Sequence, residues 1–393
     1  MIARGTRAAV AAAVGLGLLA GCAGPGPAPT PTVVTARPEP EATRGAPPTP
    51  SPSPTPPGGR APDLPAATAT PTAVLTGLHA PWGLAFLPSG AVLLTLRDRA
   101  AVVLYDDTGA RVLTGPGAEA LAEGTRTGGE GGLLGVAVAP TFDTDHLVYL
   151  YRTTRRGNEV VRAPLDPVAG TLGPLEPLLT GIPAAGYHNG GRLAFGPDGM
   201  LYVTTGDAGD RPTSQDPGSL GGKILRLAPD GAPAPGNPVE GSPVWSLGHR
   251  NVQGIGWTAD GRMIASEFGQ DTWDELNVIT PGGNYGWPLV EGTGGGGRYV
   301  EPVATWATDD ASPSGIAVGE AVYVAALRGR RLWVVPLTAD GVGTPRAVLV
   351  GELGRLRAAA IGPDGALWLL TNNTDGRGDP REGDDRLVRL LPP

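Results

Sequence analysis

One pattern occurs four times in the chain: an apolar strand, a tight turn that ends on glycine, and a second apolar strand. The copies begin at Gly83 (GLAFLPSGAVLLTLRD), Arg192 (RLAFGPDGMLYVTTGD), Gly254 (GIGWTADGRMIASEFG) and Ala358 (AAAIGPDGALWLLTNN). They are separated by roughly 109, 62 and 104 residues, so halving the two long gaps gives a period of about 50 to 60 residues. That is the length expected of one four-stranded blade of a β-propeller.

The repeat predicts an all-β fold, a six-bladed β-propeller with four-stranded antiparallel blades. The propeller is expected to span residues 73–393, since about 320 residues at this period make six blades. Further strand pairs, HLVYLYRT and AVYVAALRGRRLWVVPL, lie in the two long gaps. The 63 glycines among 393 residues also favour β structure and turns. An array of β-sandwiches is the alternative, but so regular a repeat without a helical period favours the propeller.

The first 22 residues have the pattern of an export signal. Arg4 and Arg7 precede the apolar segment 8–19, and LAGC then places small residues before Cys22, the only cysteine. LAGC resembles the lipobox of bacterial lipoproteins, which implies an exported protein lipidated at Cys22 and anchored on the outer face of the cell membrane. An ordinary cleavage site near an unmodified Cys22 is the alternative. Residues 23–72, rich in Pro, Ala and Thr, are predicted to form a disordered linker.

The charge of the chain argues against two classes of partner. The formal net charge is -8, and the cationic side chains form no basic stripe. Nucleic acid and an anionic membrane surface are therefore not expected to bind, and the lipid anchor is the expected contact with a membrane. Lys223 is the only lysine, so arginines supply nearly all the positive charge.

The polar residues that could carry chemistry fall in loops before and after the predicted strand pairs. They are His188, Asp207, His249, Arg250, Asn251, Glu267, Glu275, Arg328, Arg355 and Arg357. Arg355 and Arg357 lie two apart on a predicted strand, so their side chains face the same side. Guanidinium groups that converge on a channel suit a multiply anionic ligand, because each can bind a carboxylate through two hydrogen bonds. Solvated surface arginines are the alternative.

Six motifs, in order along the chain, carry a resemblance to a known family. They are PWGLAFLPSG, GEGGLLGVAVAP, YHNGGRLAFGPDGMLYVTTGD, GHRNVQG, NYGWP and LRAAAIGPDGALW. Together they resemble the soluble, PQQ-dependent aldose dehydrogenases of the glucose/sorbosone type, six-bladed propellers with a calcium-bound pyrroloquinoline quinone at the channel mouth. The resemblance implies PQQ and Ca²⁺ as cofactors. It also implies oxidation of an aldose sugar at C1 to the lactone, with electrons passed to an external acceptor.

The resemblance implies a role for each matching residue. His188 matches the general base that takes the proton of the sugar hydroxyl, a task that suits a neutral imidazole. Asp207 matches the carboxylate that fixes the tautomer of this histidine, and Arg250 matches a catalytic arginine beside the substrate. The implied contacts to the cofactor are Asn251, Arg328, Arg355 and Arg357.

The implied calcium site uses backbone carbonyl groups. Gly269 and Gln270 match the positions that offer carbonyl oxygens to Ca²⁺, a cation that prefers oxygen ligands. Gln270 stands where the family has a proline, which a backbone ligand tolerates. Glu267 and Glu275 are either further ligands or anchors of the surrounding loop.

Other positions depart from the glucose-type pattern. Arg328 replaces a lysine, Tyr187 replaces a sugar-binding aspartate, and Glu130 of GEGGLLG replaces a glutamine. Tyr187 and Glu130 are predicted to bind substrate, so a broad aldose range, or another polyol, is expected rather than glucose specificity. His249 is predicted to be structural, and Trp287 either stacks on the sugar or packs in the protein.

Two other functions remain open from the sequence. A calcium-dependent propeller hydrolase of the lactonase kind would hold its metal directly by acidic side chains and Asn. A non-catalytic extracellular binding propeller would need no reactive histidine. Arg355 and Arg357 favour the dehydrogenase over the hydrolase, and His188 with Asp207 favours it over the binding propeller.

Overall fold

The computed structural model describes residues 70–339 and 341–390. The predicted signal segment, Cys22 and nearly all of the predicted linker lie outside the described residues. The described chain forms six antiparallel sheets. These sheets confirm the six-bladed β-propeller, and its first strand begins at Pro71, slightly before the predicted start of the propeller.

The blades are numbered along the chain, and their strands have the following bounds. The chain begins with β1 (Pro71–Leu75), and blade 1 contains β2 (Pro81–Phe86), β3 (Val92–Leu96), β4 (Ala101–Asp106) and β5 (Gly109–Val112). Blade 2 contains β6 (Leu133–Val138), β7 (Leu147–Thr154), β8 (Gly157–Asp166), β9 (Thr171–Leu172) and β10 (Glu176–Ile182). Blade 3 contains β11 (Leu193–Phe195), β12 (Leu201–Thr204), β13 (Lys223–Leu227) and β14 (Val244–Leu247).

The remaining blades and the helices complete the described chain. Blade 4 contains β15 (Val252–Trp257), β16 (Met263–Glu267), β17 (Trp273–Ile279) and β18 (Ala304–Ala307). Blade 5 contains β19 (Pro313–Val318), β20 (Ala321–Ala326), β21 (Arg331–Thr338), β22 (Gly341–Val342) and β23 (Arg346–Val348). Blade 6 contains β24 (Leu356–Ile361), β25 (Leu367–Thr371), β26 (Leu387–Leu390) and β1. The helices are α1 (Pro116–Gly124), α2 (Phe142–Asp145) and a 3₁₀ turn (Arg211–Gln215), and no described helix has the length and apolar character needed to cross a membrane.

The ring is closed by strands from both ends of the described chain. β1 pairs antiparallel with β26, with Pro71 opposite Leu390 and Ala73 opposite Val388. The innermost strands of the six blades contact one another in sequence, and β24 of the last blade also contacts β2 of the first. The pairing with β26 makes β1 the outermost strand of blade 6, while the innermost strand of each blade faces the channel.

The hydrophobic core consists of six clusters, one between each pair of neighbouring blades. Successive residues of β3 show how a strand serves two clusters. Leu93 packs toward blade 2, whereas Val92 and Leu94 pack toward blade 6. Side chains alternate between the faces of a sheet, and both faces of a blade are covered, so the inner strands are mostly apolar.

The four sequence repeats are the inner hairpins of blades 1, 3, 4 and 6. In each turn the final glycine has φ between +74° and +89° and donates its N–H to the carbonyl three residues earlier. These glycines are Gly90, Gly199, Gly261 and Gly365. A side chain is strained at this φ, which is why the turn glycine recurs.

Blades 2 and 5 lack the repeat because their inner hairpins turn differently. In blade 2 the helix α2 fills the connection between β6 and β7. In blade 5 a two-residue turn, Gly319 and Glu320, joins β19 to β20. Blades 2 and 5 therefore lack the sequence repeat because of their turns and not because of their strands.

The topology gathers the polar loops on one face of the propeller. In an antiparallel blade, the connection from the fourth strand to the next blade emerges on the same face as the connection between the second and third strands. His188 and Arg250 lie on connections of the first kind, and Asp207, Gly269 and Arg328 lie on connections of the second kind.

Lys223, the only lysine of the chain, is fully buried at the start of β13. Its Nζ donates to the carbonyl oxygens of Thr213 (2.6 Å), Ser214 (3.1 Å) and Gly221 (2.6 Å). Burial lowers the pKa of Lys223 to about 8, so the ammonium is still mostly charged at pH 7. This cation therefore fixes the loop that follows Asp207.

We expect Lys223→Met to lower the free energy of unfolding by about 2 to 3 kcal/mol, because three carbonyl groups lose the hydrogen bond from the ammonium, although those of Thr213 and Ser214 each keep a backbone N–H donor. The thermal midpoint should fall by about 4 to 10 °C, measured by circular dichroism. Arg346→Met, at an exposed position of β23, is the control and should leave the midpoint unchanged. An unchanged midpoint in Lys223→Met would show that Lys223 does not fix this loop.

Candidate active site

His188 and Asp207 form a buried pair. The Nδ1 of His188 lies 2.6 Å from Oδ1 of Asp207, and the carboxylate is fully buried. Although burial raises it, the hydrogen bonds from His188 and from the Gly209 N–H hold the pKa of Asp207 below its ordinary value. Because the carboxylate is ionised it accepts, so Nδ1 carries the proton and Nε2 is left as a base. No described residue hydrogen-bonds to this Nε2.

The backbone around this pair is locked by contacts between blades. The N–H of Asp207 donates to the carbonyl of Arg250 (2.8 Å), and the N–H of Gly190 donates to Oδ1 of Asn251 (2.9 Å). A Cβ on Gly206 would lie 1.9 Å from the carbonyl oxygen of His188, so the Thr-Gly-Asp sequence needs its glycine. The loops of blades 3 and 4 therefore hold the imidazole in one position.

Arg250 links the pair to the neighbouring loop of blade 4. Its Nη2 donates to Oε1 of Gln270 (2.8 Å) and its Nη1 to the carbonyl of Phe268 (3.2 Å). Its backbone N–H donates to the carboxylate of Glu267. Burial lowers the pKa of Arg250, although the nearby carboxylate of Asp207 opposes this effect. The guanidinium thus lies between the imidazole loop and the loop of Gly269 and Gln270.

The loop of Gly269 and Gln270 presents two carbonyl oxygens that accept no hydrogen bond from any described residue. One oxygen of Glu291 accepts the N–H groups of residues 270–273, at 2.8 to 3.1 Å, and Asp274 accepts that of Gly269. A Cβ on Gly269 would lie 1.8 Å from the carbonyl oxygen of Trp273. The loop is therefore held by its N–H groups, which leaves its carbonyl oxygens available to a cation such as Ca²⁺.

Glu267 and Glu275 face each other across β16 and β17, and both are already hydrogen-bonded. Glu267 accepts from the N–H of Arg250 and from Nδ1 of His249 (2.8 Å). Glu275 accepts from Asn277 (3.0 Å) and from the N–H of Gly292 (2.7 Å), and burial together with Glu267 raises its pKa to about 8. These contacts favour the loop-anchor interpretation of both residues.

Arg355 and Arg357 enter the channel from blade 6 and share one carboxylate. Oδ2 of Asp375 lies 2.9 Å from Nη2 of Arg355 and 3.7 Å from Nη2 of Arg357. Nη1 of Arg357 donates to Oε1 of Gln253, on blade 4 (2.8 Å). Burial lowers the pKa of Arg357 to about 9.

Arg355 and Arg357 have hydrogen-bond donors and positive charge that an anionic ligand could bind. The Nε atoms of Arg355 and Arg357 are buried without a hydrogen-bond partner among the described residues. Two guanidinium groups against one carboxylate also leave a net positive charge in a buried place. A ligand with several carboxylates would supply both the missing charge and the missing acceptors.

The family model "Glucose / Sorbosone dehydrogenase" matches residues 78–380. The chain belongs to this family.

Relatives in the glucose/sorbosone dehydrogenase family include proteins of known structure. The PQQ-bound form of aldose sugar dehydrogenase from Streptomyces coelicolor is 50% identical over 83% of this chain and 99% of its own, with a TM-score of 0.77. An aldose sugar dehydrogenase of Escherichia coli is 29% identical over 76% of this chain and 89% of its own. Quinoprotein glucose dehydrogenase B of Acinetobacter calcoaceticus is 30% identical over 64% of this chain and 60% of its own.

The other site residues predicted from the family occupy the same face of the propeller. Arg328 is largely exposed and pairs with Asp309 (2.5 Å), so its charge is accessible at the rim. Tyr187 is half exposed and its ring lies edge-on to His188, with centroids 4.5 Å apart. The carboxylate of Glu130 accepts hydrogen bonds from the N–H of His188 (2.9 Å) and from the guanidinium of Arg377 (2.7 Å).

The side chain of His249 is enclosed by other residues of the protein, as expected of a structural residue. It is fully buried, its Nε2 contacts the Ser246 hydroxyl (2.8 Å), and its ring stacks on Tyr285 with centroids 4.6 Å apart. Both ring nitrogens are engaged within the protein, so the family motif GHRNVQG offers Arg250 rather than this histidine to the site.

Sequence reasoning missed the roles of Trp287, Glu291, Asp375 and Arg377 in this site. Trp287 and Glu291 belong to the connection between the third and fourth strands of blade 4, which begins on the opposite face of the propeller. This connection runs along β14 toward the face of the site. There the N–H of Gly282 donates to the carbonyl of Trp245, and the N–H of Trp287 donates to the carbonyl of Gly248. The NYGWP motif was the available signal for Trp287, whereas Glu291 had none.

Proposed function

We propose that this protein is a PQQ- and Ca²⁺-dependent dehydrogenase that oxidises an aldose at C1 to the lactone and passes electrons to an external acceptor. One observation carries the proposal: Nδ1 of His188 is held by a buried, ionised Asp207, while Nε2 has no hydrogen-bond partner among the described residues. Membership of the glucose/sorbosone dehydrogenase family and the PQQ-bound relative support it.

The residues present fit the cofactor. Arg355 and Arg357 would hold its carboxylates, Arg328 and Asn251 would contact it, and the carbonyl groups of Gly269 and Gln270 would bind Ca²⁺. When bound, the calcium-associated quinone supplies the acceptor for the hydride of the sugar C1–H bond.

The protein's own residues handle the proton and the substrate. Nε2 of His188 takes the proton of the anomeric hydroxyl, and Asp207 stabilises the imidazolium that results. Arg250, buried beside this pair, favours the developing negative charge on the sugar oxygen. Tyr187 offers a half-exposed ring to the sugar. Glu130 is bonded to Arg377, so it would meet the sugar as part of an ion pair.

The turnover of the reconstituted protein tests the proposal. The purified protein is loaded with PQQ and Ca²⁺, given a panel of aldoses and an artificial electron acceptor, and dye reduction is recorded. We expect reduction only when sugar, PQQ and Ca²⁺ are all present. The control omits Ca²⁺ and adds a chelator. Hydrolysis of lactones without dye reduction would support the lactonase-like alternative, and PQQ uptake without turnover would contradict the proposed reaction.

We further propose that the protein is exported and held on the outer face of the cell membrane through lipid on Cys22. The export signal and LAGC support this proposal, and both lie outside the described residues. In cells grown with a labelled fatty acid, the protein should carry label and fractionate with membranes. Cys22→Ser should lose the label. Equal labelling of the two proteins would contradict the proposal.

A further inference from the structure

Trp287 donates a hydrogen bond to the carboxylate that holds the histidine. Its Nε1–H lies 2.9 Å from Oδ2 of Asp207, whereas Oδ1 of the same carboxylate faces Nδ1 of His188 at 2.6 Å. The N–H of Gly209 also donates to Oδ1 (2.8 Å). Each carboxylate oxygen therefore has a donor of its own, and rotation of the Asp207 side chain would break bonds on both sides.

The indole is itself held by its surroundings. Trp287 is 6% exposed, its N–H donates to the carbonyl of Gly248 (2.9 Å), and its carbonyl accepts from Gln215 (2.7 Å). The guanidinium carbons of Arg211 and Arg250 lie 5.3 and 5.5 Å from the ring centroid. Cation–π contacts of this kind stabilise the ring where it stands.

We propose that Trp287 is a positioning residue for the His188–Asp207 pair. Its indole N–H fixes Oδ2, so Oδ1 is directed at Nδ1 and the imidazole is kept in the tautomer whose Nε2 is a base. The contact joins blade 4 to blade 3, since Trp287 follows β17 and Asp207 follows β12. The role of Trp287 in catalysis rests on the proposed function, whereas its effect on the tautomer of His188 does not depend on that function.

The paired variants Trp287→Phe and Trp306→Phe test this role. Phenylalanine keeps an aromatic ring beside Arg211 and Arg250 but removes the N–H. Trp306 is a matched control, because it is also buried (5% exposed) and its Nε1 has no hydrogen-bond partner among the described residues. Both variants lose the same atoms, and only Trp287→Phe loses the bond to Asp207.

The first measurement uses the protein without cofactor and reads the tautomer of His188 from its imidazole ¹⁵N shifts, assigned with His188→Gln. We expect the Nδ1–H tautomer to dominate in the wild type and in Trp306→Phe, and a mixture of tautomers in Trp287→Phe. Identical spectra for the two variants would overturn the proposal. This outcome is independent of whether the protein oxidises sugars.

The second measurement uses the loaded enzyme. Trp287→Phe should lower kcat by a factor of about 10 to 100 with little change in KM, because supporting residues of a reactive group typically contribute this much. Trp306→Phe should leave both unchanged. If the wild type shows no turnover, the proposed function fails while the tautomer result still decides the role of Trp287.

A third measurement covers the case in which Trp287→Phe does not fold. In the wild type, the indole N–H signal of Trp287 should be protected from exchange with solvent, and Asp207→Asn should shift it. The signal of Trp306 should not respond to Asp207→Asn. An unshifted Trp287 signal would contradict the hydrogen bond on which the proposal depends.

Discussion

Replacing His188 with glutamine should lower kcat by a factor of about 10² to 10⁴, the usual contribution of a positioned general base. Glutamine keeps polarity and approximate size but cannot accept the proton of the sugar hydroxyl. The binding of PQQ and Ca²⁺ should be retained, because neither the Arg355 and Arg357 pair nor the carbonyl groups of Gly269 and Gln270 contact this side chain in the structure.

The control for this experiment is His146→Gln, at an exposed position between β6 and β7, on the opposite face of the propeller. It should have wild-type kcat. Cofactor uptake is followed separately by the absorbance of bound PQQ, which distinguishes a chemical defect from a binding defect. Wild-type turnover in His188→Gln would remove the histidine from the reaction. Loss of PQQ binding in the same variant would assign it a different role.

Replacing Arg357 with methionine should weaken PQQ binding by a factor of about 10² to 10³, as expected when one partner of a buried charged contact is truncated. The guanidinium is buried and bonded to Gln253, and its Nε has no hydrogen-bond partner among the described residues. An anionic ligand therefore loses both a charge and a directed donor. Binding is measured by titrating PQQ in the presence of Ca²⁺.

A double variant separates this loss from a structural effect. Arg357→Met leaves Asp375 with Arg355 as its remaining cationic partner, and part of the damage could arise there. Arg357→Met with Asp375→Asn removes one charge of each sign. We expect this double variant to recover thermal stability but not PQQ affinity. Recovery of full affinity would contradict a direct contact between Arg357 and the cofactor, and Arg346→Met provides the exposed control.

Much of the fold could be predicted because its determinants are local. Four of the blades can be recognised in the sequence by a turn glycine with a positive φ, such as Gly199, and by the apolar strands on both sides of it. Blades 2 and 5 were predicted from the period and from apolar strand pairs in the two long gaps, since their turns lack the repeated motif. The closing pair of β1 and β26 joins residues from opposite ends of the described chain, and no local pattern marks it.

The site could be predicted in part, for the same reason. His188, Asp207, Arg250 and Asn251 lie in motifs on connections that share one face, so the motifs and the topology place them together. The contacts between Trp287 and Asp207, and between Arg377 and Glu130, join residues far apart in sequence. Such contacts depend on how loops of different blades meet, which neither periodicity nor composition reports.

In the proposed enzyme, two buried arginines, Arg355 and Arg357, hold a polycarboxylate quinone beside Nε2 of His188. A crystal structure of the protein loaded with PQQ and Ca²⁺ tests this arrangement most directly. We expect PQQ carboxylates on Arg355 and Arg357, Ca²⁺ on the carbonyl oxygens of Gly269 and Gln270, and the quinone facing Nε2 of His188. A structure in which PQQ lies elsewhere, with both arginines bonded only to Asp375 and Gln253, would contradict it.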